Sequence, residues 1–413
     1  MKTMIVTTPI RPVPTLYPPL ASLSMVTYLR GNGFENAEFY NIDGNRPDFE
    51  GVVAHIVSRK PDVLGISAVV STAYEYTKRL TLRIKEQLPE TLIVVGGNLA
   101  ASAEVLLKRT GTDICVNGEG EKVFHQIVQH AETTRDLNDY TDVPGLVFLN
   151  GDSGLVNTGY PVSLSKNEIY EIDWDILEES SDIDQFVTRL NLHDDLMANF
   201  AHAPGALDED RLRKRFMLLP ASKGCVAKCT FCHRWDKGIR YVPPDLFVTR
   251  IKELIERYDI GYLSIADENF GTDRRWLKEF CAQIKQLDLF WTVAGMRVNC
   301  ITPEQIEMMK DAGCVTILYG METGSPRILE IMEKKTKITD NENAMQWTID
   351  AGLMTVVQLV LGMPGENPET ISETIEFCKK ALTISPDQNS NHLSINYAQT
   401  SYVYTVGVSV TIT

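Results

Sequence analysis

The chain lacks any apolar run approaching the ~20 residues that a membrane-spanning helix needs. Its opening, MKTMIVTTPIRP, is broken by Pro9 and Arg11 before a signal-peptide core can form. These absences predict a cytoplasmic protein with no membrane partner. Basic charge is also scarce, because 40 Lys and Arg face 55 Asp and Glu, a formal net charge of -15. Nucleic-acid binding needs clustered cations to displace counterions, so no nucleic-acid partner is expected. The one short basic run, Arg211 to Arg215, reads as a solvated helix face. Internal repeats and low-complexity tracts are missing too. Cysteine is nearly absent from the first half, where Cys115 stands alone among eight in the whole chain.

What remains is a globular composition of two-domain length: 413 residues, 44% hydrophobic and 23% charged. Residues 1–150 alternate short aliphatic strands with amphipathic helices. Strands are predicted at Met4–Thr7, Ala37–Ile42, Val63–Val69, Leu92–Gly97 and Ile114–Gly118, with helices at Leu20–Leu29, Val52–Ser58 and Ala73–Gln87. That alternation implies an α/β fold with a doubly wound parallel sheet, whose ligands sit beyond the carboxyl ends of the strands. Those ends carry Ser67, Gly96-Gly97 and Gly118-Glu119.

Residues 151–215 lose this periodicity. Asp173, Asp175, Glu178, Glu179, Asp182 and Asp184 crowd together, which reads as an acidic linker or solvated insertion. Alternation resumes over residues 216–400, with about six β/α units. That is short of a complete eight-fold barrel, so a partial (β/α)6 TIM-type barrel is predicted. Residues 401–413 carry no charge and no helix signal, and are expected to be an altered or truncated end.

The most informative segment is Gly224-Cys225-Val226-Ala227-Lys228-Cys229-Thr230-Phe231-Cys232. Thiolates are soft ligands that suit iron–sulfur centres and zinc. Structural zinc wants a fourth ligand, which here would be His233 or a distant cysteine. An iron–sulfur cube held by three thiolates keeps one iron open for chemistry. On spacing alone both readings stand. Cys281, on a helix, and Cys300, Cys314 and Cys378, near element ends, read as buried small hydrophobes.

The loop resembles the signature of the radical S-adenosylmethionine (SAM) superfamily, and later strand ends are similar to that family's landmarks in order. They are Asp267-Glu268-Asn269-Phe270, Met296-Arg297-Val298-Asn299, Gly320-Met321-Glu322-Thr323-Gly324-Ser325 and Gly362-Met363-Pro364-Gly365-Glu366. The resemblance implies a four-iron, four-sulfur cluster on Cys225, Cys229 and Cys232. It also implies SAM held near Phe231, Asp267, Arg297, Glu322, Gly362 and Pro364, and reduction by a donor such as flavodoxin or ferredoxin. One electron from the cluster then cleaves the sulfonium and starts radical chemistry; no side chain is assigned as a catalytic acid, base or nucleophile.

The first domain is similar to the cobalamin-binding domain of cobalamin-dependent members of that superfamily. This implies cobalamin near Ser67, Gly96, Gly97, Gly118 and Glu119. The family's histidine ligand to cobalt falls two positions after an Asp; here Asp43 is followed by Asn45 in that slot. A methylthiotransferase is disfavoured, since that relative needs three N-terminal cysteines. The expected function is therefore radical SAM catalysis on a small-molecule or peptide substrate, with cobalamin-dependent methylation of an unactivated carbon leading. A cyclase, mutase or oxidative enzyme, or a non-catalytic zinc or cobalamin module, are the alternatives.

Overall fold

The structure, a computed structural model, describes residues 1–151, 154–194, 196–232 and 238–384, with the strand backbone of 393–400 and 405–410. His233 and most of the 401–413 tail lie outside the described residues. The chain divides into two compact units, Met1–Phe186 and Val187–Thr413. Among the described residues no helix is long and apolar enough to cross a membrane.

The first unit is built on a seven-stranded sheet. Its strands are β1 (Thr3–Thr7), β2 (Glu38–Tyr40), β3 (Val63–Ser67), β4 (Leu92–Gly96), β5 (Ile114–Val116), β6 (Leu146–Asn150) and β7 (Gly154–Asn157). They lie in the order β2-β1-β3-β4-β5-β6-β7. The first five are parallel, and β6 and β7 add an antiparallel edge. The doubly wound sheet expected from the sequence is present, with the switch point between β1 and β3. The antiparallel edge went unread, because LVFLN and GLVN are short.

Side-chain alternation explains why the parallel strands read as unbroken apolar runs. Ile5, Val63, Leu92, Val94, Ile114 and Val116 enter one core with Leu23, Val26, Phe124 and Ile127 from the helices Leu20–Gly31 and Glu121–Ala131. Met4, Val6, Leu64, Ile66, Ile93, Val95 and Cys115 enter the opposite core with Val52, Ile56, Leu80 and Ile84. Helix starts follow the local chemistry. Asp48, for example, caps Phe49–Arg59 by accepting from Gly51 N at 2.8 Å.

The stretch predicted as a solvated linker contributes to packing. Its acidic side chains are interleaved with Ile176, Leu177 and Phe186, each no more than 2% exposed in the first unit's core. Met197 and Phe200 pack instead with Phe216 and Tyr262 of the second unit.

The second unit contains an eight-stranded sheet. Its strands are β8 (Thr188–Arg189), β9 (Arg215–Leu218), β12 (Ile260–Ala266), β13 (Phe290–Met296), β14 (Cys314–Glu322), β15 (Met354–Leu361), β16 (Leu393–Thr400) and β17 (Thr405–Val410). Strands β9 and β12 to β16 are parallel and curl into a half-barrel, with antiparallel β8 and β17 at the edges. Between β9 and β12, β10 (Ser222–Cys225) and β11 (Gly238–Tyr241) form a separate antiparallel pair. Aromatic rings bind helix Arg274–Ile284 to the sheet: Trp276 stacks on Phe280 at 5.0 Å, and Phe280 meets Trp291 edge-on at 5.5 Å.

Candidate active site

In the second unit, the carboxyl ends of the parallel strands surround a cavity of about 200 Å³ that is open to solvent. Cys225, Cys229 and Cys232 line it, together with Phe231, Arg297 and Glu322. The cysteine loop is held in place by its backbone. Cys225 ends β10 opposite Gly238, Cys232 N donates to Cys229 O at 3.2 Å, and Ala227 N points at Cys225 Sγ at 3.3 Å. Thr230 fastens the loop to a neighbouring turn, its N donating to Met332 O and its Oγ1 to Ile331 O, both at 2.9 Å. Among the described residues, no three His, Cys, Asp or Glu side chains are set to share a single metal ion. A cube makes a different demand, since each thiolate binds a separate iron.

Two breaks in strand register shape the wall of the cavity. The β13–β14 pairing slips between Val293 and Met296, and the β14–β15 pairing slips between Gly320 and Glu322. Such bulges re-aim the side chains that follow them. Glu322 adopts a left-handed backbone, φ 68°, uncommon outside glycine. Its carboxylate pairs with Lys334, and the two side chains are only 9% and 7% exposed. A Cβ at Gly320 would stand 2.6 Å from Glu322 Oε1 and 3.1 Å from Lys334 Nζ, so only glycine leaves room for this pair.

Other SAM residues expected from the resemblance lie elsewhere. Asp267 is buried and tied to the strand turn behind the loop. Its Oδ1 accepts from Ala221 N at 2.7 Å and Ser222 N at 3.0 Å, and its Oδ2 from Ser222 Oγ at 2.7 Å. Burial pushes its carboxyl up to about 6, against the pull of those hydrogen bonds. The acidic residue from that strand end that lines the cavity is its neighbour Glu268. Gly362 and Pro364 are exposed on the turn after β15, where Gly362 N donates to Glu366 Oε2 at 2.6 Å. Met296, from the landmark after β13, lines the cavity as well, and so do Lys334 and Gln358, which went unread. Gln358 had a signal, as a polar residue inside the apolar strand MTVVQLVL. Lys334 had none, since EKKTK looks like a solvated turn.

Of the remaining cysteines, Cys115, Cys281 and Cys314 are buried as hydrophobes are, whereas Cys300 and Cys378 are only half-buried. Cys281 and Cys314 are buried, and burial pushes the Cys281 thiol up to about 12 and the Cys314 thiol up as well.

In the first unit, Ser67 and Gly96 end neighbouring strands in direct register. A Cβ at Gly96 would meet nothing within 4 Å, which leaves open space above the sheet edge. Gly97 follows with φ +83°, where a Cβ would fall 2.6 Å from Ala68 O. Glu119 is buried and accepts from Leu164 N at 2.8 Å, and Gly118 precedes it on the loop after β5. Asn45 turns its amide to Ser180 O at 2.7 Å, and Asp43 accepts from Ile10 N at 3.0 Å and from Arg46 at 2.6 Å.

Comparison with known proteins matches a family model to each of the two units. Residues 219–378 match the Radical SAM superfamily, and residues 7–128 match the B12 binding domain. The half-barrel with its cysteine loop thus lies within a radical SAM domain. More narrowly, the chain carries a B12-binding domain followed by that radical SAM domain. Such a pairing implies a four-iron, four-sulfur cluster, SAM and cobalamin as cofactors.

Anaerobic magnesium-protoporphyrin IX monomethyl ester cyclase of Rubrivivax gelatinosus is 25% identical over 88% of this chain and 62% of that protein. An uncharacterized methyltransferase of Pyrococcus horikoshii is 27% identical over 94% of this chain and 76% of that protein. The cobalamin-dependent radical enzyme OxsB, solved with aqua-cobalamin and SAM, shares the fold with a TM-score of 0.71 at 17% identity. That match covers 91% of this chain and 51% of OxsB. The chain thus spans about three fifths of the cyclase and half of OxsB.

Proposed function

We propose that this chain is a cobalamin-dependent radical SAM methyltransferase acting on an unactivated carbon of a small-molecule or peptide substrate. The observation that carries the proposal is one cavity in which three thiols, a guanidinium and a buried carboxylate–ammonium pair meet at the ends of a half-barrel. Cys225, Cys229 and Cys232 would hold the cluster, and the open iron would face the cavity that Glu322 and Phe231 line. Glu322 offers a carboxylate to the amine or ribose of SAM, and Phe231 an apolar wall. When bound, the cluster supplies the electron that cleaves SAM, and cobalamin supplies a carrier for the methyl group.

Room for cobalamin is offered by the open edge at Ser67, Gly96 and Gly97, with Gly118 and Glu119 on the adjoining loop. Asn45 carries no imidazole and its amide is engaged with a backbone carbonyl, so it would supply no nitrogen ligand to cobalt. The protein is proposed to work in the cytoplasm with a flavodoxin- or ferredoxin-type donor.

The similarity to a cyclase over 88% of the chain favours a second reading, radical ring closure or oxidation without methyl transfer. The products of SAM separate the two. Reconstituted protein under strong reductant, with cobalamin and candidate substrates, should release both S-adenosylhomocysteine and 5′-deoxyadenosine. Release of 5′-deoxyadenosine alone, under conditions of full turnover, would reject methyl transfer.

A further inference from the structure

Arg297 is the first residue beyond β13, and its guanidinium reaches two partners. Nη1 lies 3.5 Å from Cys229 Sγ, and Nη2 donates to the carbonyl of Lys334. Two residues on, Asn299 Nδ2 donates to Lys335 O at 3.2 Å. The turn that supplies these carbonyls also carries the two bonds from Thr230 of the cysteine loop. One turn, residues 331–335, therefore fixes both the loop that bears Cys229 and the guanidinium that faces it. Among the described residues Arg297 meets this thiol and this carbonyl but no carboxylate, because Glu322 is already paired with Lys334.

We infer that Arg297 raises the reduction potential of the cluster by donating a charge-assisted hydrogen bond to the Cys229 thiolate. The inference rests on the radical SAM reading of the cavity, and it gives Arg297 a partner other than SAM. Reduction takes one electron from an external flavodoxin- or ferredoxin-type donor; no bond forms or breaks. The added negative charge spreads over the cluster and its sulfur ligands. A fixed cation with an N–H on one of those sulfurs stabilises the reduced form more than the oxidised form, so the potential rises. Arginine suits the role because it stays protonated at any working pH, and its planar fork serves the carbonyl and the thiolate together. Lysine keeps the charge but has a compact head that cannot span both partners.

The test is a redox titration, followed by paramagnetic resonance, of anaerobically reconstituted wild type, Arg297→Gln and Arg297→Lys without SAM. Iron per chain is measured on each sample. Arg297→Gln is expected to hold wild-type iron and to be at least tenfold harder to reduce, a fall of about 59 mV or more for a one-electron couple. Arg297→Lys should fall between the two. An unchanged potential in an iron-replete Arg297→Gln protein would overturn the inference, and so would lost SAM affinity at unchanged potential. Should Arg297→Gln fail to retain iron, Arg297→Lys decides, and a wild-type potential there overturns it. A wild-type protein that assembles no cluster would instead defeat the radical SAM reading, so the two failures are distinguishable.

Discussion

The two sheets of this chain use the same architectural rule and reach opposite kinds of site. Both are parallel apart from antiparallel edge strands, and both place their candidate residues at the carboxyl ends of the parallel strands. In the first sheet the polar side chains near that edge turn to their own backbone: Asn45 to Ser180 O, Asp43 to Ile10 N and Glu119 to Leu164 N. What the edge leaves over is space, above Gly96 and beside Gly97. In the second sheet the ends are bulged, and side chains enter the cavity. The difference suits the two cofactors. A corrin is held by shape and backbone approach, whereas a cube is held by bonds to sulfur.

The largest effect that sharpens this contrast is loss of the cluster. Cys225→Ala, Cys229→Ala or Cys232→Ala should each abolish iron binding after anaerobic reconstitution, while Cys281→Ala keeps it. A triple mutant that retained a full cube would break the contrast outright.

On the other sheet, Gly97→Leu should expel cobalamin and leave the iron untouched. A side chain there meets Ala68 O at 2.6 Å and must adopt a positive-φ extended backbone that only glycine takes readily, a cost of about 1–3 kcal/mol before any clash. Cobalamin uptake measured by absorbance, beside iron content, checks both halves. Uptake equal to wild type would show that this edge is not the site.

Glu322→Ala should weaken SAM binding by about tenfold or more, the worth of a lost charge-assisted hydrogen bond of roughly 1.5–3 kcal/mol, with the cluster retained. It also strands Lys334 in the wall of the cavity, so thermal stability should fall. Calorimetric titration with SAM gives the affinity, and an unchanged value would move the SAM site elsewhere.

The smallest effect on the cofactors concerns Asp267, which serves the frame of the site. Its carboxyl is raised to about 6 in the folded chain and titrates near 3.9 when unfolded. As pH rises from about 4 to 6 the unfolded chain releases this proton first. Stability from this group is therefore full below about 4 and lost by about 6, worth about 3 kcal/mol at most. Asp267→Asn keeps an acceptor for Ala221 N and Ser222 N and removes the titration. Denaturant melts should show the pH slope flattened in that window; an identical slope would mean that Asp267 is not its source.

How much was legible in advance also divides between the sheets. The parallel strands and the cysteine loop were readable, because strands buried on both faces leave unbroken aliphatic runs and three spaced thiols are rare. The frame around the loop was not. Asp267 and Glu268 are adjacent and equally acidic, and only the turn at Ala221 and Ser222 decides which of them goes inward. Lys334 is twelve residues past Glu322 in a turn that looks solvated, and nothing local records that the chain folds it back onto a bulge. The acidic stretch misled because charge dominates its composition while Ile176, Leu177 and Phe186 pack.

The central claim is that the three thiols hold a cube that cleaves SAM. Its most direct test is iron and sulfide analysis of the anaerobically reconstituted protein, followed by dithionite reduction with SAM and assay of 5′-deoxyadenosine. The account predicts about four irons and four sulfides per chain, and 5′-deoxyadenosine that vanishes in Cys229→Ala. One zinc per chain, no bound iron and intact SAM would contradict it.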